Sequence, residues 1–107
     1  MKKNYRSVSG FLRLSILVLL LVGTTGLSSA AQIALTWNDN STNESGFNIE
    51  RRIGASGSYQ PLANVAANIA SYTDAGLSNG TTYCYRVRGF NSNGSSGYSN
   101  EACATTA

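Results

Sequence analysis

The chain has 107 residues, carries a formal net charge of +3 and contains no histidine. Four of its eight Lys and Arg residues, but none of its five acidic residues, lie within residues 1–31. The rest of the chain therefore has a small negative charge, which argues against a nucleic-acid partner. The lack of histidine removes the commonest general base and metal ligand.

Residues 1–31 have the three parts of an export signal. The segment opens with basic residues, continues through an apolar run at residues 14–22 that only Ser15 interrupts, and ends with small residues at 28–31. The sequence therefore predicts cleavage after Ala30 or Ala31. The secreted domain is then residues 32–107, and its location is extracellular or periplasmic.

The alternative for this leader is a membrane anchor that stays attached. A membrane-spanning segment needs about 20 apolar residues, and the run between Arg13 and Gly23 is about half as long. We therefore expect membrane attachment only through an uncleaved leader.

The remaining residues show short alternating apolar segments separated by turn-forming clusters, which is typical of an all-β sandwich. Residues 32–37 place Ile33, Leu35 and Trp37 on one face. The inner face of the next strand holds Phe47 and Ile49 and continues to Arg51. Residues 59–65 form an edge strand because they contain a proline, and residues 71–73 form a further short strand.

The two cysteines indicate how the last two predicted strands, residues 82–90 and 98–105, pair with each other. A register that places Cys84 opposite Cys103 joins the two cysteines of the chain in a cross-strand disulfide. The same register predicts that Arg86 faces Glu101 and that Arg88 faces Ser99. A slip of one residue would move the cysteines to opposite faces.

These residues resemble the fibronectin type III family over nearly all of residues 32–107. The resemblance rests on residues 35–37, 46–51 and 77–91, and the loop at residues 39–47 is similar to the B–C loop of bacterial members. It implies an immunoglobulin-like β-sandwich in which Tyr83 forms the tyrosine corner. The implied core consists of Trp37, Phe47, Ile49, Leu77, Tyr83, Tyr85 and Val87.

The chain departs from the family pattern at its start. Family members have a strand A of about ten residues before strand B, but here the predicted signal junction lies immediately before Gln32. The sequence therefore predicts a fibronectin type III sandwich that is truncated at its N-terminal strand. The exposed edge of strand B, residues 33–37, is then tolerated as it is, covered by a loop, or covered by a strand from a partner, which is the hypothesis we test.

No catalytic, cofactor-binding or metal-binding residue is predicted. The cysteines are too far apart in sequence for a Cys-x-x-Cys redox turn. Asp39, Asn43 and Glu44 offer oxygen ligands that suit Ca²⁺, but they also suit a turn, which is the preferred interpretation.

Three aromatic residues are not clearly assigned to the core and could stack on sugar rings: Tyr59, Phe90 and Tyr98. The alternative for these residues is packing at strand ends and over the disulfide.

The sequence therefore predicts a secreted, non-enzymatic module that mediates protein interaction or acts as a spacer. The alternatives are a small carbohydrate-binding protein and a truncated relic of a multidomain secreted protein. The expected partner is a protein or an extracellular polysaccharide.

Overall fold

The computed structural model of the chain describes residues 13–20, 31–39 and 43–107. Their strands form two antiparallel sheets. The strands are β1 (Arg13–Leu20), β2 (Ala31–Asn38), β3 (Gly46–Ile53), β4 (Gln60–Ala66), β5 (Ser71–Leu77), β6 (Thr82–Asn91), β7 (Gly94–Ser95) and β8 (Ala102–Thr105). None of the described residues belongs to a helix that is long and apolar enough to cross a membrane.

The first sheet has the order β1-β2-β5, and the second has the order β4-β3-β6, with β7 and β8 both paired to β6. Burial alternates along β2 and along most of β6, as expected for strands with one buried face. The buried faces of the two sheets enclose a single core, which makes the protein an all-β sandwich.

The core contains all seven residues assigned to it from the sequence and is extended by three residues of β2: Ala31, Ile33 and Leu35. Trp37 is 5 % exposed, and its ring contacts Phe47 edge-on with 5.6 Å between the ring centroids. This contact joins the two sheets, because Trp37 belongs to β2 and Phe47 to β3.

A buried carboxylate forms a second link between the sheets. Asp74 lies on β5 and is 4 % exposed. It accepts hydrogen bonds from Arg51 Nη1 at 2.9 and 3.1 Å and from the Tyr85 hydroxyl at 2.6 Å. Arg51 therefore continues the inner face of β3, as predicted, because it has a buried counter-ion there.

The tyrosine at the start of β6 forms the expected corner. The backbone N–H of Ser78 donates to the Tyr83 hydroxyl at 3.0 Å. The connection from β5 to β6 is also held by Thr106, whose hydroxyl donates to the Ser78 carbonyl at 2.6 Å. The C-terminal end of the chain is thereby fixed against this turn.

Cys84 and Cys103 form a disulfide and lie directly opposite each other in the β6–β8 register. The prediction that Arg86 faces Glu101 in this register is wrong. Because β8 begins at Ala102, Glu101 is not part of the β6–β8 pairing. Glu101 pairs with Arg52, and Arg86 pairs with Glu50.

The predicted strand at residues 98–105 is correct only for its last four residues. Between β7 and β8 the chain runs beside β6 irregularly, and serine hydroxyls replace backbone acceptors. Ser96 Oγ accepts from the Gly89 N–H and Ser99 Oγ from the Val87 N–H, each at 2.9 Å. The alternation of residue types in the sequence could not reveal that serine hydroxyls act as the acceptors here.

In the full chain, residues of the predicted leader supply a strand that precedes β2. β1 pairs with β2 along eight residues, from Arg13 opposite Asn38 to Leu20 opposite Ala31. The edge of β2 is therefore covered in the full chain. The sequence pattern predicts only an export role for this apolar run, since a run without alternation has no mark of a strand. The other residues of the predicted leader lie outside the described residues.

Replacing the single tryptophan should destabilise the domain strongly. Trp37→Ala removes a buried side chain that bridges the sheets, and we expect a loss of about 3–5 kcal/mol in the free energy of unfolding. Urea unfolding followed by circular dichroism measures this loss. Ile53→Ala is the control, because Ile53 is 53 % exposed and should change stability little. Equal effects of the two substitutions would contradict the core assignment.

Reduction of the disulfide should lower the melting temperature. A ring of this length is expected to contribute about 3 kcal/mol by restricting the unfolded chain. Differential scanning calorimetry with and without a reductant measures the effect. The Cys84→Ser/Cys103→Ser double variant should melt at the lower temperature and show no response to the reductant.

Tyr85 should make stability sensitive to alkaline pH. Burial, and then its bond to Asp74, raise the pKa of Tyr85 well above the ordinary value, whereas in the unfolded chain this pKa is about 10. The stabilisation is therefore complete below about pH 10 and is lost as the pH rises further, because only the unfolded state ionises readily. Tyr85→Phe should flatten this decline in urea titrations between neutral and alkaline pH. An unchanged slope would show that Tyr85 does not cause it.

Candidate functional site

The outer face of the second sheet carries a cluster of alternating arginine and tyrosine side chains. Because Tyr85 and Val87 are buried, the neighbouring Arg86 and Arg88 of β6 lie on the opposite, outer face. We call this cluster the arginine–tyrosine ladder, and it consists of Arg52, Arg86, Arg88, Tyr59, Tyr98, Glu50 and Glu101.

Arg86 lies at the centre of the ladder and contacts two aromatic rings. Its guanidinium carbon is 4.1 Å from the ring centroid of Tyr59 and 3.8 Å from that of Tyr98. Both distances are within the range of favourable cation–π contacts. The two tyrosines come from different loops, one before β4 and one after β7, so Arg86 fixes both loops to the sheet.

Glu50 holds this central unit together. Its Oε1 accepts from Arg86 Nη2 and Nε, both at 2.7 Å, and its Oε2 accepts from the Tyr98 hydroxyl at 2.9 Å. Burial opposes ionisation of Glu50, but the bonds from Arg86 and Tyr98 outweigh it, so its pKa lies below the ordinary value. Glu50 is therefore ionised at neutral pH and fixes the guanidinium and the tyrosine in place.

A second ion pair lies at one end of the ladder. Arg52 Nη2 is 2.9 Å from Glu101 Oε2, which also accepts a hydrogen bond from the Tyr59 hydroxyl. Those bonds from Tyr59 and Arg52 lower the pKa of Glu101. Arg52 also donates to two carbonyls of the following turn, Gly54 at 3.0 Å and Ala55 at 2.6 Å.

Arg88 lies at the other end and has the least complete set of partners. Its guanidinium carbon is 4.7 Å from the Tyr98 ring centroid. Its Nε is buried without a hydrogen-bond partner, and no ion pair joins it to a carboxylate of the described residues. The ladder thus combines three arginines with two glutamates and has excess positive charge at the Arg88 end.

The three candidate ligand-contact aromatics have different positions. Tyr59 and Tyr98 belong to the ladder, where ring faces lie against guanidinium groups, and Tyr98 is 37 % exposed. Phe90 is separate and packs on Gly46, where an added Cβ would lie 2.9 Å from Phe90 Cζ. The same Cβ would lie 2.5 Å from the Val65 carbonyl oxygen, which belongs to the paired strand and cannot move away easily, so position 46 requires glycine. The three aromatics do not form one sugar-stacking strip.

The structure offers little support for a metal centre among the described residues. The group of possible ligand atoms that it brings together is Cys84, Cys103 and Glu101, and both sulfurs are bonded to each other. Asp39 and Glu44, proposed as alternative Ca²⁺ ligands, are not part of this group. The Asn43 carbonyl accepts from Asn91 Nδ2 at 2.9 Å, which is a loop contact. Residues 40–42 of that loop lie outside the described residues.

A shallow groove between β3 and β4 is the other candidate site. Its volume is about 180 Å³, and its walls include Arg51, Ile53 and Leu62. Typical small-molecule sites have about 300–1,000 Å³ and several converging polar groups. Arg51, the only charged residue of its lining, is already bound to Asp74, so the groove is a weak candidate for a ligand site.

Sequence reasoning missed the ladder although it assigned Arg86 and Arg88 to the outer face correctly. The tyrosines that contact Arg86 lie in irregular segments, where side-chain direction does not follow from alternation. A detectable signal was present in β3 and β6, since Glu50 and Arg52 also point outward and place opposite charges beside the arginines of β6.

No protein-family model matches the chain. In sequence it is similar to an amylopullulanase of Thermoanaerobacterium saccharolyticum, with 31 % identity over 58 residues that cover 54 % of this chain and 4 % of the enzyme. The chain thus spans only a small part of that relative.

Solved structures show a likeness that extends over most of the chain. A fibronectin type III-like protein from Clostridium thermocellum has a TM-score of 0.66 and 25 % identity, covering 94 % of this chain and 96 % of its own. A fibronectin type III domain of human collagen XX has the same TM-score with 18 % identity, covering 99 % of this chain and 100 % of its own. Together with the two-sheet strand order and the tyrosine corner, these likenesses show that the chain has the fold of a fibronectin type III domain.

Proposed function

We propose that this protein is a secreted, non-catalytic fibronectin type III module that binds another protein through the arginine–tyrosine ladder. Fibronectin type III modules serve protein interaction or spacing, and the ladder distinguishes this module from a plain spacer. The observation that carries the proposal is Arg86 held between Tyr59 and Tyr98 on the outer face of the sheet.

The chemistry of the ladder suits a protein partner. Tyrosine and arginine are enriched at protein interfaces and among the residues that dominate binding energy. The ladder is also preorganised, because Glu50 and Glu101 fix its arginines and tyrosines by hydrogen bonds. Side chains that are ordered before binding lose less conformational entropy when the partner arrives.

Two features support export. The first is the basic, apolar and small-residue order of residues 1–31. The second is the disulfide between Cys84 and Cys103, since such bonds persist mainly in oxidising compartments.

The proposed module is not an enzyme. Three carboxylates of the described residues, Glu50, Asp74 and Glu101, are each bound to an arginine and to a tyrosine hydroxyl. The bonds from arginine and tyrosine lower the pKa of Glu50 and of Glu101. These carboxylates are therefore suited to holding structure rather than to donating and accepting protons.

Carbohydrate binding is the second candidate, and the likeness to part of an amylopullulanase favours it. Aromatic rings can stack on the apolar faces of sugars. In the ladder, however, the rings of Tyr59 and Tyr98 each have a guanidinium within 4.1 Å of the centroid, which leaves less ring surface for a sugar.

The binding role of the arginine–tyrosine ladder can be tested by reversing the charge of Arg88, whose Nε is buried without a hydrogen-bond partner. The immobilised protein is used to capture extracellular proteins from a culture of the source organism, and mass spectrometry quantifies what is retained. Arg88→Glu should reduce retention of the specific partner at least about tenfold, which corresponds to a loss of about 1.4 kcal/mol. Ser71→Glu is the matched control, because it adds the same charge at an exposed position of β5 in the other sheet.

A partner retained equally by both variants, or lost equally with both, would contradict a role for the ladder.

Native electrophoresis in gels with pullulan or soluble starch tests carbohydrate binding, the second candidate function. If the polysaccharide retards the protein and Tyr59→Ala/Tyr98→Ala abolishes the retardation, the ladder binds carbohydrate instead.

A further inference from the structure

Residues 13–20 cannot both form β1 and be removed with an export signal in the same molecule. In the full chain they form β1 and pair with β2. The same residues are also part of the predicted export signal, which is cleaved after Ala30 or Ala31. Cleavage at either position separates β1 from the rest of the domain, so export would remove a strand that the full chain uses.

The register of β1 fits the core of the sandwich. Leu14, Ile16, Val18 and Leu20 lie opposite Trp37, Leu35, Ile33 and Ala31, respectively. These four residues of β2 are all at most 5 % exposed. Residues directly opposite each other in an antiparallel pair lie on the same face. The even-numbered positions of β1 therefore lie opposite the buried residues of β2, and positions 15, 17 and 19 alternate with them.

The likeness to solved domains points to the same role for β1. Residues 31–107 make up about 72 % of the chain, whereas the two solved domains align with 94 % and 99 % of it. The aligned part therefore includes residues that precede β2.

Removal of β1 would leave the backbone N–H and C=O groups on one side of β2 without a neighbouring strand. Its other side is paired with β5 through residues that include Ile33, Leu35 and Thr36. Unpaired N–H and C=O groups at a strand edge are a template for another strand, and added strands are a recurrent way to bind extended peptides. The opened edge would also adjoin the apolar residues of β2.

We propose that the edge of β2 facing β1 is a strand-accepting site. In the uncleaved chain it is occupied by residues 13–20. After the leader is removed, it accepts an extended segment of another protein that has apolar residues opposite Ala31, Ile33, Leu35 and Trp37. The second step rests on the export that the proposed function includes, whereas the first step does not.

A pair of double variants tests the site in the uncleaved chain, produced without export. Ile16→Asp/Val18→Asp places charges at the positions opposite Leu35 and Ile33, and Leu17→Asp/Leu19→Asp places the same charges at the alternating positions opposite Ala34 and Gln32. The first variant should melt at least about 5 °C lower than the second, because a destabilisation of about 1 kcal/mol shifts a domain of this size by about 4–8 °C. Equal melting temperatures would overturn the assignment of β1 to this site.

A cleavable form of the full chain tests strand acceptance. A specific protease site is inserted between residues 20 and 31 and is cut after folding. A fluorescent peptide of residues 13–20 with terminal lysines should then bind, as measured by anisotropy, and should not bind the uncut chain. The peptide with Asp at the positions of Ile16 and Val18 is the control. No binding to the cut chain, or equal binding of both peptides, would overturn the proposal.

Analysis of the exported protein separates the two steps. N-terminal sequencing that finds the leader still attached would refute both the processing and the second step, while the variants above decide the first step independently. If the processed protein has twice the expected mass in light scattering, the occupant is a second copy of this chain. That outcome would overturn the proposed partner segment.

Discussion

Alternation of side chains along β6 is the constraint on which both the core and the ladder depend. β6 is paired on one side with β3 and on the other with β7 and β8, so it cannot shift by one residue without breaking all three pairings. Tyr83, Tyr85 and Val87 thereby face the core, and Arg86 and Arg88 face outward. The disulfide at Cys84 fixes the same register covalently. Core packing and surface chemistry are therefore two consequences of one strand position.

The parts of the fold that follow strict alternation could be predicted from the sequence. The inner faces of β2, β3 and β6 and the Cys84–Cys103 pairing belong to this group, because period-two patterns and a single possible cysteine pair leave few arrangements. Asp74 was missed because one acidic residue in a polar segment does not show burial. Its counter-ion was the available clue, since Arg51 continues an apolar face and needs a negative partner there. The contacts of Tyr59 and Tyr98 could not be predicted, because they lie in segments without a regular direction.

β1 illustrates a different limit. Export signals and buried strands both require a run of apolar residues, and residues 14–22 satisfy both requirements. Composition therefore cannot distinguish the two roles, and it is the pairing with β2 that shows a strand in the full chain. The register is more specific than the composition, because it sets each residue of the run opposite a known residue of β2.

The irregular edges of the second sheet affect how copies of this protein can crowd together. At one edge the chain is divided into the two-residue β7 and the four-residue β8, and the hydroxyls of Ser96 and Ser99 take up amides of β6. At the other edge β4 contains Pro61, which cannot donate a ladder hydrogen bond. Neither edge is a long, flat template, so molecules that meet along them lack the continuous ladder from which fibres grow. Copies of this domain that meet along either edge of this sheet are therefore not expected to join into one continuous sheet.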